Sequence, residues 1–198
     1  MIASEMVNTD RPEAHLNLAN LYARLGRPAD AETQLRTALR LDPRFVPALV
    51  NLADLFRAQG READGERALE EALKVAPDSA EALHALGLLR VRQGRRAEAV
   101  DLLRRAARRR PESTRFAYVY AVALHGTGGS APAIAVLEEA HRRRPANRDV
   151  LAALVTYLRE RGDASRALRY AEKLAALAPG DRQVQGVVES LRRGAGAR

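Results

Sequence analysis

An all-α fold is predicted, an α-solenoid of five helix-turn-helix units ending in a capping helix, and three observations carry the prediction. Pro43, Pro77, Pro111, Pro145 and Pro179 stand 34 residues apart. Gly26, Gly60, Gly94, Gly128 and Gly162 keep the same interval, and no insertion interrupts either series. A constant period means that each unit packs on its neighbours alone, and a period of 34 selects the two-helix form of such arrays. Function is then sought on a surface.

Placing Pro43 at position 32 of a unit sets the units at 12–45, 46–79, 80–113, 114–147 and 148–181, each reading helix A, turn, helix B, turn. Helix A carries Leu18, Leu21 and Tyr22 at helical spacing; Leu52, Leu55 and Phe56 repeat the set, as do Leu86 and Leu89. The glycine at position 15 supplies the left-handed conformation that ends this helix. Helix B needs small residues where the pair crosses closely. Position 20 accordingly holds Ala31, Gly65, Ala99, Ala133 and Ala167, and position 27 holds Ala38, Ala72, Ala106 and Ala140. Leu35, Leu69, Leu103 and Leu137 fill the space between, while the last unit inverts the pair as Ala171 and Leu174, a swap that conserves volume. The proline at position 32 cannot continue helix B.

The two ends differ from the interior. Val184, Val187, Val188 and Leu191 form an i, i+3, i+4, i+7 stripe, so 182–193 reads as a capping helix and 194–198 as a frayed tail. Val7-Asn8-Thr9-Asp10-Arg11 aligns with Leu41-Asp42-Pro43-Arg44-Phe45, which makes 1–11 the remnant of a preceding helix B and the chain a piece of a longer array. An uncapped first unit then exposes a stacking face, and weak self-association through it is expected.

Composition narrows the function classes. The chain has 46% hydrophobic residues and no cysteine, which removes disulfides, thiolate metal sites, haem attachment and cysteine nucleophiles. Met1 to Arg11 has neither a basic lead nor an apolar run of about 7 residues, so no secretory signal is read; the default is cytoplasmic, or periplasmic if the chain is a fragment of an exported protein. No membrane segment is expected. Net charge is +8, divided as −3 over residues 1–79 and +11 over 80–198. A positive field speeds encounter with acidic partners, yet only Lys74 and Lys173 are lysines among 33 basic residues, a bias that points first to genomic base composition.

These residues resemble the tetratricopeptide repeat family over about 12–181. The match is densest in Leu18-Ala19-Tyr22 with Ala31, Ala38 and Pro43, and in Leu52-Ala53-Phe56 with Ala72 and Pro77; His15, Arg90 and Tyr120 depart from the family pattern without disturbing its spacing. The resemblance implies a right-handed solenoid whose helices A line a concave groove, with positions 2, 5, 6, 9, 12 and 13 facing a ligand. By register the groove begins with Glu13, Asn17, Asn20 and Arg24, then Asn51, Asp54 and Arg57. An asparagine offers two donors and an acceptor, so a ladder of them can hold an extended peptide backbone. Further along come His84, Leu88, Val91 and Arg92, then Arg115, Tyr118, Val122 and His125, with Tyr118 free of the core and Phe116 and Tyr120 inside it. Arg92, Arg115, Tyr118 and His125 are the expected partner hot spot. Leu16 stands where chaperone-tail clamps carry lysine, which argues against that use.

Phe45-Val46-Pro47-Ala48-Leu49-Val50-Asn51-Leu52-Ala53 and Tyr118-Val119-Tyr120-Ala121-Val122-Ala123-Leu124 also resemble C-terminal repeat regions of bacterial multihaem c-type cytochromes. That likeness implies an alternative, a detached docking module of a larger redox protein. Arg108-Arg109-Arg110 and Arg142-Arg143-Arg144 recur one period apart and read as a basic edge, but helix C-termini favour cations for structural reasons and no stacking platform accompanies them, so a nucleic-acid partner is not expected. His15, His84, His125 and His141 have no metal-binding spacing, and Thr127-Gly128-Gly129-Ser130 reads as a turn with a Ser130 helix cap. The sequence reading is a non-catalytic scaffold or adaptor without cofactor, binding a peptide or partner protein.

Overall fold

The computed structural model describes residues 11–196, and among these residues are eleven helices and no strand. They are α1 (Pro12–Arg24), α2 (Pro28–Leu41), α3 (Val46–Ala58), α4 (Glu62–Val75), α5 (Ala80–Arg92), α6 (Arg96–Arg109), α7 (Thr114–His125), α8 (Ser130–Arg143), α9 (Arg148–Glu160), α10 (Ala164–Leu177) and α11 (Arg182–Gly196). The first ten are the helices A and B of five repeats. The expected remnant helix at 1–11 falls almost entirely outside the described residues.

The turns explain the glycine period. Gly26, Gly60, Gly94, Gly128 and Gly162 have φ of 70, 74, 73, 85 and 75°, the left-handed region in which a side chain is strained. The residue after each glycine donates its N–H back to the carbonyl at position 11: Arg27 to Tyr22, Arg61 to Phe56, Arg95 to Arg90, Gly129 to Leu124 and Asp163 to Leu158, all at 2.8–2.9 Å. This 6→1 bond is a Schellman closure, and it sets position 16 just before helix B, which starts at position 17. Gly129 is therefore the N-cap of α8 and Ser130 its first helical residue, so the expected Ser130 cap is corrected. The hydroxyls and side-chain oxygens that do cap helices are Ser79, Ser113, Asn147, Asp163 and Asp181.

The described residues form two compact bodies, divided between Arg109 and Arg110. In the first, α1 to α6 pack in sequence, and helix A of one repeat also touches helix A of the next, α1 on α3 and α3 on α5. Its core is built from Ala19, Ala31, Leu35, Ala38, Leu52, Ala53, Phe56, Leu69, Leu86 and Leu89. In the second body α7 to α11 pack the same way around Ala121, Ala133, Leu137, Leu154, Leu158, Ala167 and Ala171, with Val188 and Leu191 of α11 buried in that core. Anchored there, α11 runs through Gly196, beyond the expected boundary at 193; residues 197–198 lie outside the described region.

Small residues sit where helices cross. A Cβ on Gly65 would lie 3.2 Å from the Ala53 carbonyl oxygen, and one on Gly87 would lie 2.7 Å from Leu103 Cγ. The inverted pair Ala171 and Leu174 is buried as the volume argument requires. No helix among the described residues is long and apolar enough to cross a membrane.

Candidate functional site

In the first body, α1, α2 and α3 enclose a groove of about 440 Å³ whose lining includes Asn20, Asn51 and Asp54. Its floor is apolar, made by Ala19, Ala31, Leu35 and Leu55; Pro28 and Ala58 stand at its rim. Asn51 donates Nδ2 to the Pro47 carbonyl at 2.8 Å, which commits one donor to its own helix and leaves Oδ1 as the group offered to a ligand. Asn17 and Asn20 are exposed, as are Asp54 and Arg57, which face each other at 3.6 Å. Three of the residues expected on sequence grounds thus line one concavity.

One repeat further, the corresponding rim is bridged. Arg92 Nε donates to Glu62 Oε1 at 2.9 Å, and Glu62 and Arg92 occupy the positions that Pro28 and Ala58 hold beside the open groove. Arg92, expected as part of a partner hot spot, is thus engaged by Glu62 while its side chain stays partly exposed. His84 is only 3% exposed, so the expectation of a groove-facing imidazole is corrected. Position 5 packs inward here, as Val50 does at the same position of the preceding repeat.

Arg90, a departure from the family pattern, is buried at 5% exposure. It donates to Glu66 Oε1 at 2.5 Å and to Gln93 Oε1 at 2.8 Å, with Glu98 at 3.5 Å and Glu70 at 3.7 Å. The Gln93 amide, followed by Arg90 and Arg95, holds the Glu66 carboxyl below the usual carboxylate range against the opposing effect of burial. Arg95 also pairs with Glu66 at 3.6 Å, and Arg61 with Glu32 at 2.9 Å, so neighbouring repeats are tied by one recurring Arg-Glu contact.

In the second body Arg115 is exposed, with its guanidinium 5.6 Å from the Phe116 ring centroid. Tyr118 is half-buried against the core rather than free, which corrects the expectation of an unattached tyrosine. His125 stacks on Tyr157 with ring centroids 3.8 Å apart and planes within 6°, and its Nε2 lies 2.7 Å from Glu160 Oε2. Burial pushes the Tyr157 hydroxyl up, and the nearby Tyr118 and Glu160 add to that shift. Sequence reasoning missed Tyr157 and Glu160. Their signal was present, since position 13 of one repeat lies beside position 12 of the previous one.

The arginine triplets are largely engaged within their own bodies. Arg109 pairs with Asp78 at 2.6 Å, Arg110 with Glu112 at 3.8 Å, and Arg142 and Arg143 both with Glu139. Arg143 also donates to the Pro111 carbonyl. Among the described residues no group of three or more histidine, aspartate or glutamate side chains is placed to hold a metal ion.

Three family models, each describing the tetratricopeptide repeat, match residues 12–45, 45–112 and 84–148. No curated protein matches the sequence. Among solved structures, YrrB, described as a TPR protein with an unusual peptide-binding site, is 17% identical over 93% of this chain and 94% of its own, with a TM-score of 0.69. PilF of Pseudomonas aeruginosa is 21% identical over 92% of this chain and 83% of its own, with a TM-score of 0.79. MamA AMB-1 is 25% identical over 89% and 97%, with a TM-score of 0.67.

Proposed function

The chain belongs to the tetratricopeptide repeat family, and we propose that it is a non-catalytic scaffold whose α1–α2–α3 groove takes an extended segment of a peptide or partner protein. One observation carries the reading: the groove is open at a rim of Pro28 and Ala58, and its polar side chains converge above an apolar floor. The floor suits a small aliphatic side chain. Asn51 Oδ1 accepts from a backbone N–H of the bound segment, Asn20 supplies a donor or acceptor beside it, and Asp54 favours a basic neighbour. A hydrogen bond to a charged group adds about 1.5–3 kcal/mol, so one or two such contacts with modest apolar burial give roughly micromolar affinity. Arg57 borders this site, and Arg115, Tyr118 and His125 offer a separate polar and aromatic surface in the second body for further contact with a partner.

The repeat frame itself supplies the test. Replacing Pro28→Glu together with Ala58→Arg copies the Glu62–Arg92 bridge onto the open rim. Peptides selected from a displayed random library against the wild-type protein are expected to lose about tenfold or more in affinity for this variant, and for Asn20→Ala/Asn51→Ala, with helical circular dichroism unchanged. Selected peptides that bind the bridged variant as tightly as wild type would place recognition elsewhere.

A further inference from the structure

We infer that the outer flank of α1 is the surface through which two copies of this chain associate about a two-fold axis, α1 running antiparallel to α1 of the second copy. The inference is independent of the proposed groove function. Ala14, Leu18, Leu21 and Leu25 fall at spacings of four, three and four residues, so they form one apolar seam of the kind that packs helix on helix. In repeats 2 and 3 the same first three positions are covered by the preceding repeat. Leu55 and Leu89 are 8% and 2% exposed, and Ala48, Leu52, Ala82 and Leu86 are buried beside them. Their counterpart Leu21 is 49% exposed.

Leu25 differs from its counterparts in chemistry. Repeats 2 and 3 carry exposed glutamines, Gln59 and Gln93, at that position, and Gln93 Nε2 donates to Glu66 Oε2 of the preceding repeat at 2.8 Å. In repeat 1 the position is leucine and 62% exposed. The seam is thus apolar at a position where repeats 2 and 3 carry a polar residue, and leucine there cannot make the bond to a neighbouring carboxylate that Gln93 makes.

Charge identifies the occupant as a second copy. α1 has Glu13 in its first turn and Arg24 in its last, both exposed. A two-fold axis that sets Leu18 opposite Leu21 of the other copy also sets Ala14 opposite Leu25, and it carries Glu13 to the end of the partner helix that holds Arg24. Both ends are satisfied at once, the antiparallel macrodipoles align favourably, and such an isologous contact closes as a dimer.

Light scattering and sedimentation equilibrium on the full chain test this. The mass is expected to rise from 21.7 kDa toward twice that value with concentration. Leu21→Glu/Leu25→Glu should stay monomeric with wild-type circular dichroism, since both side chains already reach solvent. Glu13→Arg and Arg24→Glu should each raise the dimer dissociation constant about two- to tenfold at low salt, and the double reversal should restore it. A wild type that is monomeric at every concentration overturns the inference, whether residues 1–10 or another protein then cover the seam. A dimer indifferent to the leucine changes, or to both charge reversals, also overturns it.

Discussion

Repeats 2 and 3 follow the same backbone frame with different chemistry at its centre. At position 11 repeat 2 has Phe56, with the Arg61 guanidinium 4.2 Å from its ring centroid, and repeat 1 has Tyr22 under Arg27 at 4.7 Å. Repeat 3 puts Arg90 there, and Arg95 above it finds a like charge instead of a ring. Glu66, Glu70 and Glu98 surround the pair and offset that repulsion. A ring at this position is stable on its own, because it needs only apolar neighbours and one cation over its face. A buried guanidinium depends on every carboxylate around it.

That difference predicts opposite responses to single changes. Glu66→Ala removes the nearest counter-charge of a buried arginine, and urea denaturation is expected to show a loss of about 3 kcal/mol. Arg90→Phe removes the charge itself and restores the ring beneath Arg95, so it should be neutral or stabilising. Combined with Arg90→Phe, Glu66→Ala should cost under about 1 kcal/mol, the value of an exposed pair. Additive losses in the double variant would mean that Arg90 and Glu66 are not coupled.

The frames also differ in tightness. Position 8 is Ala53 in repeat 2 and Gly87 in repeat 3, where a Cβ would meet Leu103 Cγ at 2.7 Å and Cδ2 at 2.9 Å. Gly87→Ala is therefore expected to destabilise by about 1–3 kcal/mol despite the better helix propensity of alanine. Gly65, whose nearest added contact is 3.2 Å, is the control: Gly65→Ala should change stability by less than about 1 kcal/mol. Leu103→Val in the Gly87→Ala background should recover part of the loss if the clash with that side chain is its cause.

What the sequence disclosed follows the range of the forces involved. The period, the left-handed glycines and the small crossing residues are local backbone requirements, so Gly26 and Pro43 declare them without knowledge of anything distant. Asn20, Asn51 and Asp54 were expected together because the groove positions of the tetratricopeptide family carry over by register, and the three line one concavity. His84 and Tyr118 were misjudged because their exposure depends on what another helix brings, such as the core that takes up Tyr118, and the pairing of Arg92 was missed because Glu62 reaches it from 30 residues away. Tyr157 and Glu160 went unnoticed for the same reason, since their meaning comes from His125 on another helix.

The smallest effect on stability separates the two rims. Glu62 and Arg92 have side chains 44% and 39% exposed, so their ion pair is screened and costs two side chains their freedom; Glu62→Ala and Arg92→Ala should each destabilise by under about 1 kcal/mol. Their effect on access should be larger. Glu62→Ala/Arg92→Ala removes both bridging side chains and leaves alanines beside Gln93, which reproduces the Pro28 and Ala58 rim in chemistry and size. Library peptides with an aliphatic residue should then gain a second binding event in titration calorimetry, one that survives the Pro28→Glu/Ala58→Arg change at the first groove. If the stoichiometry stays at one, a bridging ion pair is not what distinguishes the rims. The apolar floor, with Leu35 and Leu55 in one repeat pair and Leu69 and Leu89 in the next, would then have to explain why only one groove binds.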